Sequence, residues 1–304
     1  MSLLEVKGLT KSFGSKMSVD SISFTLQPHT ATALIGPNGA GKTTTMSMIT
    51  GLLAQTSGTV LLEGSSNIRQ HVGFLPQYPK FYPWLTALEY VEMVAGLSHV
   101  PKREIRARSK QVLQYVGLEK DMNRLTSTFS GGMKQRLGIA QAIVHQPKLL
   151  LLDEPVSALD PIGRAEVMEL LKLLQQQTTI LYSTHILHDA EKMTDQVLFM
   201  KQGKLVEQGS LSAIQLRYAD PKYAVQFANQ VDASQFASGY PTARCEGSTV
   251  LLEVDETLPT MQELMSQVSS TGLEVIKLER VSASLDQIFM KVAGEREVLG
   301  NTVD

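Results

Sequence analysis

The chain has 304 residues, 43% of them hydrophobic, and a net charge of −2. That length suits one large domain and a smaller one, and the near-neutral charge excludes a global field for nucleic acid. The single cysteine, Cys245, excludes an internal disulfide framework and a cysteine-based zinc cluster, and no run reaches the ~18–20 apolar residues of a membrane span.

The N-terminal MSLLEVKGLTKSFG lacks the long apolar core of a secretion signal, so work at a membrane is expected to go through a partner. Residues 3–7 (LLEVK) and 20–26 (DSISFTL) read as strands. Between them Phe13 stands before Gly14. Taken alone it reads better as a core or turn aromatic than as a ring that stacks on a purine. Thr32–Ile35 reads as a buried strand and Lys42–Thr50, free of Gly and Pro, as a helix. Between them Gly36, Pro37, Asn38, Gly39, Ala40, Gly41, Lys42, Thr43 and Thr44 contain the phosphate-loop spacing G-x-x-x-x-G-K-[ST]. Such a turn presents unpaired N–H groups and the positive end of a helix dipole to an anion. Gly36, Gly39 and Gly41 are expected to let the backbone approach a phosphate, Lys42 to reach the β- and γ-phosphates, and the Thr43 hydroxyl to ligate Mg²⁺. A chance glycine-rich turn is the alternative, and the strand and helix on either side favour nucleotide binding.

Residues 51–64 and 71–77 read as strands with turns, the second ending at Pro76 and Gln77. An aromatic stretch follows, then a helix from about Thr86, where Thr86 and Glu89 fit a capping box. A second helix spans 102–118, and its basic run Lys102, Arg103, Arg106, Arg108 and Lys110 reads as a solvated face. Ser130-Gly131-Gly132 opens a third helix and makes a second candidate anion site. KLLLLDEP at 148–155 is a continuous apolar strand ending in Asp153 and Glu154. A helix over about 161–176 and a strand at 178–183 follow, with Thr184 and His185 at that strand's end. A helix at 187–193 and strands at 196–200 and 204–207 complete the series.

Strands alternating with helices predict an α/β domain with a largely parallel sheet, whose ligand sits beyond the carboxyl ends of the strands. Gly36, Gln77, Asp153, Glu154 and His185 all stand where a strand stops. Asp153 is placed to hold Mg²⁺, Glu154 to orient or deprotonate the attacking water, and Gln77 to touch metal and water. His185 is placed to donate to the γ-phosphate. Each alone has a structural reading, as cap, backbone partner or satisfied histidine. Together, in this order, they favour catalysis. The Ser130 turn lies too far along the fold to reach the same nucleotide, so two copies paired head to tail would each close the other's site.

These residues resemble the ATP-binding-cassette ATPases over about residues 1–215, through GPNGAGKTT (36–44), Gln77, FSGGMKQR (129–136), LLLLDEP (149–155), SALD (157–160) and STH (183–185). The resemblance implies a phosphate-loop NTPase core with a helical subdomain at about 78–146, and ATP and Mg²⁺ as cofactors. It implies that Phe13 stacks on adenine and that Ser130, Gly131 and Gly132 bind the γ-phosphate across a homodimer or heterodimer. Asp160 would lie in the segment that crosses between the sites, His185 would sense the γ-phosphate, and Gln77 would link nucleotide to a transmembrane permease. Phe129 and Met133 depart from the common Leu-Ser-Gly-Gly-Gln pattern, and Met133 cannot donate a side-chain hydrogen bond.

The chain is most similar to separate ATP-binding subunits of bacterial exporters, which implies a peripheral place on the cytoplasmic face of the cell membrane. Residues 78–95, with Tyr78, Phe81, Tyr82 and Trp84, match the position that receives the permease; core aromatics of the subdomain are the equal alternative. A soluble cassette ATPase, such as an iron–sulfur assembly factor, is the second functional reading. Residues 216–304 carry none of the motifs. They read as a small α+β unit, ferredoxin-like; ASLDQIFMKV resembles the closing helix of exporter-type ATP-binding subunits, which implies regulation or dimer contacts, and a helix that merely covers a small sheet is the alternative. The unit includes a Ser284–Gln287 capping box, an apolar helix face of Leu285, Ile288, Phe289 and Val292, a buried or loop Cys245, and a frayed end over 294–304.

Overall fold

The computed structural model describes residues 2–157, 159–219, 222–253 and 260–299, with side chains described through Val292. They form two compact units, one of Met1–Leu211 with the chain from Val292 onward, the other of Ser212–Lys291. The cut thus falls ahead of the expected end at 215.

The larger unit runs β1 (Leu4–Phe13), β2 (Lys16–Leu26), β3 (Ala31–Ile35), α1 (Lys42–Ile49), β4 (Ser57–Leu62) and β5 (Val72–Leu75). Three helices follow, α2 (Ala87–Leu97), α3 (Ile105–Tyr115) and α4 (Gly131–Ile143). It closes with β6 (Leu149–Asp153), α5 (Pro161–Gln175), β7 (Thr179–Thr184), α6 (Leu187–Met193), β8 (Gln196–Lys201) and β9 (Lys204–Ser210). A six-stranded sheet has the order β5-β6-β7-β3-β8-β9, parallel except for β9. Every residue of β3, β6 and β7 is buried, because helices and a second sheet cover both faces and leave no place for alternation. The second sheet is antiparallel, in the order β2-β1-β4. Leu4, Val6 and Ile22 of this sheet share one apolar layer with Met46 and Ile49 of α1 and Leu34, Leu151 and Leu181 of the parallel sheet.

β1 and β2 extend well past the expected runs. Register shifts between Val6 and Ser12 break the period-two pattern while the ladder continues. Phe13 therefore ends a strand, paired with Lys16 across a tight hairpin in which Gly14 takes a φ of 60°. It is 52% exposed, which removes the core reading.

The helical subdomain matches its capping signals. Thr86 and Glu89 close the reciprocal box on α2. Ser130 caps α4, accepting the Met133 N–H at 3.3 Å. Leu137, Ala140, Ile143 and Val144 are buried as the periodicity predicts. In the basic run Arg106 pairs with Glu92 at 3.1 Å and Arg108 with Glu104 at 2.8 Å, a solvated, paired face.

The smaller unit follows the start of α7 (Leu211–Tyr218) and contains β10 (Lys222–Phe227), α8 (Gln230–Ala237), β11 (Arg244–Glu246), β12 (Thr249–Glu253), α9 (Met261–Ser270) and β13 (Val275–Arg280). The antiparallel order β11-β12-β10-β13, with helices after its first and third strands, is the ferredoxin-like arrangement. Val225, Phe227, Phe236, Val250, Leu252 and Leu264 form its core. α7 and α8 were not expected; α8 is short and signalled only by its Asn229 cap. Cys245 is exposed on β11 rather than buried or in a loop. α10 (Leu285–Leu299) carries the expected Ser284–Gln287 box and stays helical to Leu299, which corrects the frayed end from 294. Residues 300–304, Ala158 of the SALD segment and Val254 lie outside the described residues.

Candidate functional site

The site lies at the carboxyl end of the parallel sheet, where β3 gives way to α1. Gly41 precedes α1 with a φ of 105° and no side-chain cap, so the first-turn N–H groups face a cavity of about 530 Å³. Its walls include Asn38, Gly39, Ala40, Gly41, Lys42, Thr43, Thr44, Gln77 and Glu154. Gly36 and Pro37 stand behind that wall as acceptors for the Lys42 ammonium, at 2.7 and 3.3 Å. Gly36 also meets a demand unrelated to phosphate: an added Cβ would stand 2.2 Å from the Met200 carbonyl oxygen.

Lys42 is 6% exposed, and burial lowers its pKa below the ordinary lysine value while Glu154 and Asp153 push the other way. Its Nζ lies 3.7 Å from Glu154 Oε1. The other carboxylate oxygen of Glu154 is 2.8 Å from His185 Nδ1. The carboxylate accepts, so Nδ1 carries a proton and Nε2 is the ring nitrogen left for other partners. One buried carboxylate therefore joins the phosphate-loop lysine to the strand-end histidine.

Glu154 takes a φ of 53°, left-handed for a residue with a Cβ. Such strain typically costs ~1–3 kcal/mol and collects at functional sites. Its effect here is direction: Asp153 belongs to the β6 ladder, while Glu154 turns out of it toward the cavity. Asp153 is 1% exposed, and its Oδ1 accepts from the Ser183 hydroxyl at 2.5 Å. Gln77, just past β5, faces the same cavity.

Not every expected residue reaches the cavity wall. Phe13, Asp153, His185, Ser130, Gly131, Gly132 and Asp160 are absent from it. Asp153 and His185 join through the bonds just described. Ser130 and Gly131 are exposed at the start of α4. Asp160 caps α5, accepting the Gly163 N–H at 2.7 Å, with Pro161 in the first helical turn. The cavity also has walls that sequence reasoning missed: Lys16, Met17 and Ser18 of β2, and Gln202 and Gly203 of the β8–β9 turn. Gly203 donates to the Ala40 carbonyl at 2.9 Å, and Ser18 to the Thr44 hydroxyl at 3.1 Å. No local pattern marks them. A further missed residue is Gln135 of α4, buried, whose amide donates to the carbonyl of Pro155 beside Glu154 at 2.6 Å.

Known proteins resemble this chain in sequence and fold. Residues 19–157 match the family model described as ABC transporter. The ABC transporter ATP-binding protein YxlF of Bacillus subtilis is 38% identical over 293 residues, covering 95% of this chain and 99% of that protein. The bacitracin transport ATP-binding protein BcrA of Bacillus licheniformis is 32% identical, covering 96% of this chain and 98% of its own. A solved ATP-binding subunit of an ABC transporter superposes with a TM-score of 0.65 at 30% identity, over 71% of this chain and 93% of that one. The dimeric post-hydrolysis cassette MJ0796, bound to ADP and Pi, gives 0.63 at 28% identity, over 68% and 98%. Phosphate loop, strand-end carboxylates, fold and relatives converge, and the chain belongs to the ABC transporter family as an ATP-binding, ATP-hydrolysing subunit.

Proposed function

We propose that this subunit works as half of an ATP-sandwich dimer that drives export through a separate transmembrane permease, from the cytoplasmic face of the membrane. One observation carries the reading. The cavity beside Lys42 and Glu154 has no wall from Ser130–Gly132, although that turn is exposed at the start of α4. A site with one phosphate cradle on the inside and a second facing outward is completed by another copy or a related cassette.

Mg²⁺ fits the donors present. Thr43 is exposed and lines the cavity with Gln77, and Asp153 has one oxygen held by Ser183 and one left. These are hard oxygen ligands, to be completed by phosphate and water. Bound there, the cation would neutralise charge on the β- and γ-phosphates. Lys42 and the α1 N–H groups hold the phosphates, Phe13 supplies a face for adenine, and Glu154 orients water and accepts its proton. His185, held by Glu154, answers to the γ-phosphate, and Asp160 meets the partner cassette.

Export is supported by relatives named for bacitracin transport and, at 29% identity, for Nod factor export. Among the described residues no helix is long and apolar enough to cross a membrane, so translocation requires a membrane partner. The aromatic stretch is its seat: Tyr78 is 75% and Trp84 68% exposed, which argues against the core reading. Glu154→Gln should keep ATP affinity, lower hydrolysis by about a hundredfold or more, and accumulate as a dimer with ATP in light scattering. A monomer under those conditions would count against the sandwich. The rival reading, a cassette ATPase uncoupled from transport, predicts that the protein stays soluble beside a co-expressed permease.

A further inference from the structure

We propose that Ser183 is a positioning residue that fixes the metal-binding carboxylate and the water-orienting carboxylate through one hydroxyl. The idea rests on the roles given above to Asp153 and Glu154. Ser183 lies on β7 with no solvent exposure, and its backbone pairs with that of Asp153 where the β6–β7 ladder ends. One residue further on, Glu154 leaves the ladder with a φ of 53°. Its N–H finds the Ser183 Oγ at 2.9 Å in place of a strand carbonyl. The same oxygen donates its proton to Asp153 Oδ1 at 2.5 Å.

This arrangement uses both capacities of the hydroxyl. As donor it ties down one oxygen of Asp153 and leaves the other for a cation. As acceptor it satisfies the Glu154 N–H at the left-handed turn beyond the sheet; a buried N–H without a partner is costly. The turn in turn aims the Glu154 carboxylate at His185 Nδ1 and Lys42 Nζ. Ser183 touches neither phosphate nor water in this scheme. It acts through two adjacent residues with different tasks, Asp153 at the end of β6 and Glu154 just past it.

The test uses the full chain with Ser183→Ala and Ser183→Cys. For Ser183→Ala the account expects turnover to fall about tenfold or more. Half-saturating Mg²⁺ should rise about threefold or more, and ATP affinity in EDTA should stay within about twofold of the parent. Calorimetry with a non-hydrolysable ATP analogue, with and without Mg²⁺, should show a smaller gain in affinity from the metal. Ser183→Cys, of similar shape and with a weak S–H donor, should fall between parent and Ala in both readouts. Unchanged turnover together with unchanged metal dependence in Ser183→Ala overturns the proposal. If that variant unfolds, Ser183→Cys carries the test, and parent-like turnover and metal dependence there overturn it equally. Glu154→Gln run alongside separates the two ideas. Full turnover in that variant removes the assigned role of Glu154. Lost turnover there, beside a parent-like Ser183→Ala, removes only Ser183.

Discussion

At the residue scale Lys42 is under opposed demands. Burial lowers its pKa, and Glu154 and Asp153 partly restore it. A bound triphosphate adds negative charge and moves the pKa up again. A base whose pKa is lower free than bound takes up a proton on binding, in the pH window between the two values. ATP affinity should therefore fall as pH rises through the lowered value, before the ordinary 10.5 is reached. Calorimetry in alkaline buffers of differing ionisation enthalpy should register net proton uptake. Equal heats in all buffers would contradict the desolvated ammonium. Lys42→Ala should lose that uptake and weaken ATP binding about tenfold or more, because it removes charge-assisted bonds to phosphate. Phe13 makes a contrasting case. Its ring carries Lys11 Nζ 5.1 Å from its centroid and is half exposed, so little of the fold depends on it. Phe13→Ala is expected to cost ~1–3 kcal/mol of ATP affinity with a melting temperature near the parent's. Unaltered affinity would remove the stacking role.

At the element scale the strands that carry the site accept little change. Gly73 of β5 lies against α4, where an added Cβ would stand 2.1 Å from the Ala142 carbonyl oxygen. Backbone cannot yield as a side-chain tip can, so Gly73→Ala should destabilise by about 1–3 kcal/mol. Because β5 ends just before Gln77, turnover should fall with it. Denaturant melts and steady-state rates check both, and parent-like values would show that the contact relaxes cheaply. The exposed aromatic stretch predicts the opposite signature. Trp84→Glu should preserve the melt and abolish co-sedimentation with permease-bearing membranes; retained sedimentation would move the docking seat elsewhere.

These elements also show what the sequence reveals and what it conceals. LLLLD and TILYST read as buried strands because apolar runs need no period once both faces are covered. The caps at Thr86 and Ser284 were legible because the bond closes within three residues. The left-handed turn at Glu154 was not legible as such, since its N–H is held by Ser183, 29 positions away. Lys16–Ser18 and Gln202–Gly203 were invisible for the same reason: they share a wall only after β8 and β9 fold back onto the phosphate loop.

At the scale of the whole molecule there are two units with different sources of order. The cassette was legible because its chemistry is local: a glycine-rich turn, paired carboxylates at a strand end, a capped helix. The smaller unit has capped helices too, at Asn229, Thr260 and Ser284, and its ferredoxin-like order follows from Tyr223, Val225 and Phe227 alternating across β10 and from helices that cover that face. The outward-facing cradle at Ser130 sets the central claim, that hydrolysis belongs to a pair of cassettes. Specific ATPase activity measured against protein concentration tests it most directly, with mass followed by light scattering in the same samples. The account predicts activity per subunit that rises with concentration in step with the ATP-dependent dimer. Full activity per subunit in samples that remain strictly monomeric would contradict it.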